Sequence, residues 1–456
     1  MQKTKILATI GPSSLHLPVL KKMCQAGLSG IRINTAHGHF DQYQTIIENI
    51  RKCTDLPIII DVKGPELRVK GEPIQIKKNQ ELSFGKKHHI LFNQDVYKDI
   101  KKGDLVLFDG AKITGTVTKA SKTEVTIKFK DSGIIEPDKG VNIPGRHLSV
   151  PNLSIKDKKA IAFSKKHKVD FIALSFTRRA SDVINLQKLL KNTKIGIIAK
   201  IENREGVDHI DEILPLVDGV MVARGDLGVE LQPQKIPIVQ KNIIKKANAL
   251  GKLVIVATQV LESMVNNRIP TRAETSDIAN AILDGADVIM LSEETAIGNY
   301  PSECIEVINK VSIEIEPFSK NNVPEEEGDN ISEAITNSAY ALASSTNIDK
   351  IVAITRSGYT ATLLSRFRMK EPIIAITSEQ TVARKLQLSY GVVPFFEKTM
   401  PNFETIIHKS SVLYNTKLVK PNDTVLIVAG IHPKKSQASN VLFVAKAKDL
   451  VFHAKN

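Results

Sequence analysis

Cysteine is scarce in this 456-residue chain, and long apolar runs are absent. The three cysteines, Cys24, Cys53 and Cys304, are scattered and odd in number. That argues against a disulfide framework or a CxxC metal site and fits a reducing compartment. No run of about eighteen apolar residues occurs, so neither a membrane helix nor a membrane partner is expected. A strand-like pattern begins at Lys5, leaving no room for a signal or transit peptide, and a cytoplasmic location is expected. A basic tail, an aromatic RNA-binding motif and zinc-finger spacing are also missing. The net charge of +14 is spread over short pairs such as Lys21-Lys22, Lys158-Lys159 and Lys245-Lys246. Solvated charge that attracts anionic metabolites explains it better than a nucleic-acid partner does.

What is present points to chemistry at strand ends. In Ile197-Ile-Ala-Lys-Ile-Glu-Asn-Arg-Glu-Gly206 an apolar, strand-like run ends in Lys200 and Glu202. Residues two apart on a strand share a face, so an ammonium and a carboxylate leave it side by side. Gly219-Val-Met-Val-Ala-Arg-Gly-Asp226 repeats the design. If the two strands are neighbours, Glu202 and Asp226 converge beside a cation, which is material for a divalent-metal site handling a phosphorylated or carboxylated substrate.

Eight continuous Ile/Val-rich runs, at 5–10, 30–34, 57–61, 170–175, 194–202, 217–224, 253–258 and 288–292, alternate with helix-like stretches. Such alternation predicts an α/β fold, here a (β/α)8 TIM barrel with its active site at the C-terminal strand ends. Polar residues gather there in every unit: Thr9, Arg32 with Asn34, Asp61 with Lys63, Ser175, Lys200 with Glu202, Asp226, Thr258, and Ser292 with Glu294. The predicted catalytic domain is 1–68 with 147–325. Between its parts, 69–146 reads as short strands separated by Lys102-Gly103 and Asp109-Gly110, predicting an inserted small β-barrel placed as a lid or as a passive decoration. A Pro- and Glu-bearing stretch from 316 to 330 reads as a linker. After it, 331–456 predicts a helix and a second, doubly wound α/β domain.

These motifs resemble those of the pyruvate kinase family over essentially the whole chain. The matching segments include Lys3-Thr-Lys-Ile-Leu-Ala-Thr-Ile-Gly-Pro-Ser13, Arg32-Ile-Asn-Thr-Ala-His-Gly38 and Asp61-Val-Lys-Gly-Pro-Glu-Leu-Arg68. Lys200-Ile-Glu-Asn-Arg-Glu-Gly206, Val222-Ala-Arg-Gly-Asp-Leu-Gly-Val-Glu230, Ala257-Thr-Gln-Val-Leu-Glu-Ser-Met264 and Asp284-Gly-Ala-Asp-Val-Ile-Met-Leu-Ser292 follow in the family's order. The resemblance implies phosphoryl transfer from phosphoenolpyruvate to ADP in glycolysis. It implies Mg²⁺ or Mn²⁺ on Glu202 and Asp226, and Lys200 and Arg32 on the phosphoryl group. The Gly225-Asp226 backbone and Thr258 match the group that binds the substrate carboxylate. Thr258 and Ser292 match residues implicated in proton delivery, and Asn34, His37, Arg68 and Lys156 lie on the nucleotide side. His37 and His39, taken alone, read more readily as surface or packing histidines than as nucleotide ligands. K⁺ would sit on Asn34, Asp61 and the Val62 carbonyl. The loop Thr355-Arg-Ser-Gly-Tyr-Thr360 matches a phosphorylated-effector site through Thr355, Ser357, Gly358 and Thr360, or is an ordinary helix cap. Thr271-Arg-Ala-Glu274 matches a subunit contact in a family whose usual form is a homotetramer.

Three departures stand out. Ala36 replaces a serine K⁺ ligand while Glu66, which goes with K⁺ dependence in the family, remains; weakened K⁺ affinity is the expectation. Glu293 replaces a glycine at the end of the eighth strand, where a positive φ or a close approach would exclude a side chain. The loop 430–436 bears lysines, and the chain lacks tryptophan, which favours a sugar or nucleotide monophosphate over a bisphosphate effector. Two rival readings remain. A lyase acting on pyruvate enolate would not need Arg68, Lys156 or the insert. A silent regulatory or nucleic-acid-binding relative is suggested by Ala36 and Glu293, against the retained Lys200, Glu202, Asp226 and Thr258.

Overall fold

The computed structural model describes residues 2–36, 38–64, 66–319, 330–399, 413–414, 416–430 and 439–450. His37 and most of the 430–436 loop therefore lie outside the described residues. Eight parallel strands close a barrel: Lys5–Thr9, Gly30–Asn34, Ile58–Val62, Phe171–Leu174, Gly196–Ile201, Gly219–Ala223, Leu253–Ala257 and Val288–Leu291. They pair in chain order, the first with the eighth. Nearly every residue in them is buried, which is why the runs are continuously apolar rather than alternating. One face of each strand packs outward on the helices. The other fills the barrel with Leu7, Ile59, Ile198, Met221, Ile255 and Met290.

The insert, expected as a small β-barrel, is built from an open five-stranded sheet and two short pairs around one core, with no closed strand order among the described residues. Five antiparallel strands run in the order Val141–Asn142, Leu105–Phe108, Ile113–Ala120, Glu124–Phe129, Glu81–Gly85. Two shorter pairs, Ile74–Ile76 with Gly133–Ile135 and Val69–Lys70 with Leu91–Phe92, complete it. The core is aromatic: Phe84 stacks on Phe92 and Phe108 at centroid distances of 5.3 and 5.7 Å. Gly103 and Gly110 both adopt positive φ, +93° and +66°, so the two glycine steps visible in the sequence are turns that need the residue.

Past the barrel, Asn330 caps the helix Ile331–Ser345, its side chain accepting from the Glu333 amide at 3.1 Å. The last sheet runs Val392–Phe396, Ile373–Thr377, Lys350–Ile354 and Thr424–Ala429 in parallel, with Val441–Lys446 antiparallel at the edge. Separate apolar clusters cover its two faces, as a doubly wound sheet requires.

This unit grips the N-terminal end of the barrel, its floor, through buried ion pairs. Arg384 Nε donates to Asp170 at 2.7 Å, and the same carboxylate accepts the Ile58 amide at 2.9 Å. Arg368 donates to Asp287 at 2.6 Å, while Asp287 also accepts the Val254 amide at 2.8 Å. Breaking one partner of a buried pair leaves a stranded charge, typically costing about 3–5 kcal/mol. Arg368→Met is therefore expected to lower the calorimetric unfolding temperature by several degrees. A transition unmoved within error would show that the Asp287 contact does not fasten the two units.

Candidate active site at the C-terminal strand ends

The fifth strand delivers Lys200 and Glu202 to one face, and their charged groups meet at 2.9 Å. Lys200 Nζ also reaches Ser175 Oγ at 2.8 Å and Asp61 at 3.2 Å. Asp61, from the end of the third strand, accepts Arg32 Nε at 2.8 Å, and Arg32 donates onward to Thr9 at 2.9 Å. The ends of the first, second, third, fourth and fifth strands thus feed one buried network. Burial opposes charge on both partners, yet the opposite charges win. Asp61 and Glu202 hold the Lys200 pKa above the usual lysine value, and Lys200 and Arg32 hold Asp61 below the usual carboxylate range.

Asp226 sits in the first turn of the helix Arg224–Glu230, directly after the sixth strand. Burial, and then the neighbouring Glu202 carboxylate, push its carboxyl well above the ordinary range; Glu66 adds to the same field. Lys200 pairs with Glu202 and offsets the field at Asp226 only in part, so the two carboxylates are in conflict there. Among the described residues no group of three or more His, Cys, Asp or Glu side chains is arranged for a metal. Two carboxylates suit Mg²⁺ or Mn²⁺ completed by water and substrate oxygens, and do not suit a structural ion caged by protein.

Thr258 follows the seventh strand in a left-handed conformation, φ +68°, with Gln259 next at +53°. That is unusual for a β-branched residue and marks a strained turn. Its hydroxyl accepts the Gly225 amide at 2.7 Å and donates to the Ala257 carbonyl at 2.6 Å. Arg224 holds this turn by donating to the Thr258 carbonyl and to Asp277, both at 2.8 Å. In the sequence Arg224 is marked only as a charge directly after a buried strand.

Ser292 is half-buried at the eighth strand's end, and its amide donates to Glu294 at 2.7 Å. Glu294, also underrated from sequence, ties this end to the Leu261 amide at 3.0 Å. Glu293 causes no strain. It starts the short helix Glu293–Ala296, is exposed, and is not among the residues with positive φ.

On the nucleotide-side list, Lys156 Nζ donates to the Ala36 carbonyl at 3.2 Å, and Asn34 Oδ1 accepts the Ala36 amide at 3.0 Å. Arg68 stands in a different pair, with Glu66 at 3.0 Å, which Lys63 approaches at 3.6 Å. Of the K⁺ set, Asn34 and Asp61 are register partners on adjacent strands, with Val62 next in line. Asp61 spends both carboxylate oxygens on Arg32, Lys200 and Ser175. The insert touches this end of the barrel through Asn142, which donates to Glu230 at 3.1 Å on the helix that carries Asp226.

Fold and site together define a TIM-barrel enzyme whose mouth combines three carboxylates, Asp61, Glu202 and Asp226, with two buried cations, Lys200 and Arg32. Residues 1–305 match the family described as "Pyruvate kinase, barrel domain", and residues 333–445 match "Pyruvate kinase, alpha/beta domain". A pyruvate kinase from Sporosarcina psychrophila is 39% identical, the match covering 99% of this chain and 81% of the relative. One from Clostridium acetobutylicum is 36% identical over 97% of this chain and 99% of its own length. The crystal structure of a pyruvate kinase from Cryptosporidium parvum superposes with a TM-score of 0.91 at 32% identity, covering 98% of this chain and 96% of that one. The chain belongs to the pyruvate kinase family.

The charge balance makes a sign-definite prediction about stability. Because Asp226 has a raised pKa, its ionisation costs the folded state at neutral pH and above. Asp226→Asn, measured at pH 8 in chelator, should raise the unfolding temperature, with a gain on the order of 1 kcal/mol. A lower temperature would mean that the two carboxylates are not in conflict.

Proposed function

We propose that this chain transfers the phosphoryl group of phosphoenolpyruvate to ADP, giving pyruvate and ATP. The observation that carries the reading is the Lys200 ammonium, 2.9 Å from Glu202 and sharing Asp61 with Arg32. Phosphoryl transfer asks for positioning and charge neutralisation more than covalent chemistry. Arg32 offers a planar fork and Lys200 a point charge to the phosphoryl oxygens, both already aimed and desolvated. The Gly225 amide and Thr258 hydroxyl face the substrate carboxylate. Glu202 and Asp226 are the residues that would hold Mg²⁺ or Mn²⁺, which when bound supplies Lewis acidity at the enol and phosphoryl oxygens. Thr258 and Ser292 have hydroxyls too weakly acidic to protonate an enolate themselves, so they order the water that does. Asn34, His37, Arg68 and Lys156 serve the nucleotide.

Further parts of the reading rest on the same resemblance. Asn34, Asp61 and the Val62 carbonyl take K⁺, with weaker affinity because Ala36 has no hydroxyl. The domains are 1–68 with 147–325, 69–146 and 331–456, a division supported by their separate cores. A phosphorylated effector binds at Thr355, Ser357, Gly358 and Thr360, and the enzyme works in the cytoplasm as a homotetramer. Thr271 and Glu274 also have a local role, forming the capping box of the helix Arg272–Asp284.

A coupled assay tests the core of this. ATP should form from phosphoenolpyruvate and ADP with Mg²⁺, faster in K⁺ than in a tetraalkylammonium salt. Lys200→Met should keep the fold by circular dichroism and lose about 10²–10³ in kcat. No ATP formation would refute the activity, near-normal turnover of Lys200→Met would refute that residue's role, and equal rates in the two salts would refute the K⁺ site.

A further inference from the structure

Two consecutive residues at the active end adopt a conformation that side chains seldom occupy. Thr258 and Gln259, at φ +68° and +53°, both lie in the left-handed region, and such a pair persists only where its surroundings over-determine it. The determining group is Arg224. Its guanidinium is buried, and one terminal nitrogen donates to both carbonyls of the pair, at 2.8 Å to Thr258 and 3.3 Å to Gln259. The other terminal nitrogen donates at 2.8 Å to Asp277, on the helix Arg272–Asp284. Nε is buried with no hydrogen-bond partner among the described residues. An unmade buried hydrogen bond and a strained turn both destabilise a fold, and here they meet at one place beside the carboxylate pair. Packing alone does not explain a guanidinium there.

What the turn fixes is one hydroxyl. Thr258 Oγ1 donates its only proton to the Ala257 carbonyl at 2.6 Å and accepts the Gly225 amide at 2.7 Å. A hydroxyl has one donor and two acceptor sites, so a single acceptor site stays open. Through that site Thr258 can take one hydrogen of a water and leave the other hydrogen free to be given away. We propose that Arg224 is a positioning residue for protonation of the enolate: by holding the Thr258–Gln259 turn it aims this open lone pair, and with it the water. In the step itself an O–H bond of the water breaks and a C–H bond forms at the methylene carbon of the pyruvate enolate. The hydroxide left behind is neutralised by a proton from bulk solvent. Arg224 is committed to the turn and to Asp277, so it acts through Thr258. The inference rests on the reaction proposed above and assigns control of one of its two steps.

Deuterium uptake into the methyl group of pyruvate, followed by NMR in D₂O with Mg²⁺ and ATP, reads the reverse of this step. The wild-type chain should exchange faster than pyruvate in the same buffer without protein. Arg224→Met should keep its Mn²⁺ affinity and lose about 10²-fold in exchange, the effect of misplacing a group by about 1 Å. Arg224→Lys, which still offers donors to the two carbonyls, should fall between the two. Wild-type exchange in a folded Arg224→Met overturns the inference and leaves the reaction standing. So does a wild-type chain that forms ATP yet exchanges no faster than buffer. Exchange and Mn²⁺ affinity lost by the same factor would mean that the whole start of the helix Arg224–Glu230 has moved, which also overturns it. If circular dichroism shows Arg224→Met unfolded, Arg224→Lys decides: a several-fold loss of exchange with unchanged Mn²⁺ affinity sustains the inference, and undiminished exchange overturns it. If the wild-type chain forms no ATP from phosphoenolpyruvate and ADP, the proposed reaction falls and this assignment falls with it.

Discussion

The contact between Lys200 and Glu202 organises the active end of this molecule. An ammonium buried beneath the barrel mouth is tolerable only because two carboxylates, Glu202 and Asp61, surround it. Asp61 is in turn tolerable only because Arg32 shares it. Such a chain of charges is a poor way to stabilise a fold, since well-packed apolar residues would do at least as well. Its value in the proposed reaction is preorganisation: the groups that would meet a substrate's phosphoryl oxygens are aimed and desolvated beforehand. Asp226 is the unbalanced member, held beside Glu202 with its pKa raised by burial and like charge. In the proposed function, that imbalance is what a bound cation would relieve.

The floor of the barrel uses the same elements to another end. Asp170, Asp218 and Asp287 each precede a strand and each accept the amide of the first or second residue of the neighbouring one. The C-terminal unit docks Arg384 and Arg368 onto two of these aspartates and sets Lys385 near the third. Strand starts and strand ends are joined by rigid, fully buried ladders.

Much of this was legible in the sequence because the barrel obliges it to be. A parallel strand covered on both sides must be apolar throughout, so its first charged residue marks its end; Lys200 and Asp61 announced themselves that way, and Asp226 follows two residues after the sixth strand's first charge. The helix Ile331–Ser345 was equally plain, bounded by a capping asparagine. What stayed hidden depends on partners far apart in the chain. Arg224 acquires its task only when Thr258 and Asp277 fold against it. The pairing of Arg68 with Glu66, and the commitment of both Asp61 oxygens, follow from three-dimensional crowding that spacing cannot express. Glu293 looked out of place because glycine is expected at a tight turn, yet the backbone there keeps a conformation any residue can adopt. The insert was visible as a change of rhythm; its assembly from several sheets around stacked phenylalanines was not.

The most direct test of the account is a Mn²⁺ titration followed by electron paramagnetic resonance, with no substrate present. The wild-type chain should bind one ion, and Glu202→Gln and Asp226→Asn should each weaken that binding at least about tenfold. Binding that is unchanged in both variants would contradict the claim that these two carboxylates form the cation site beside Lys200.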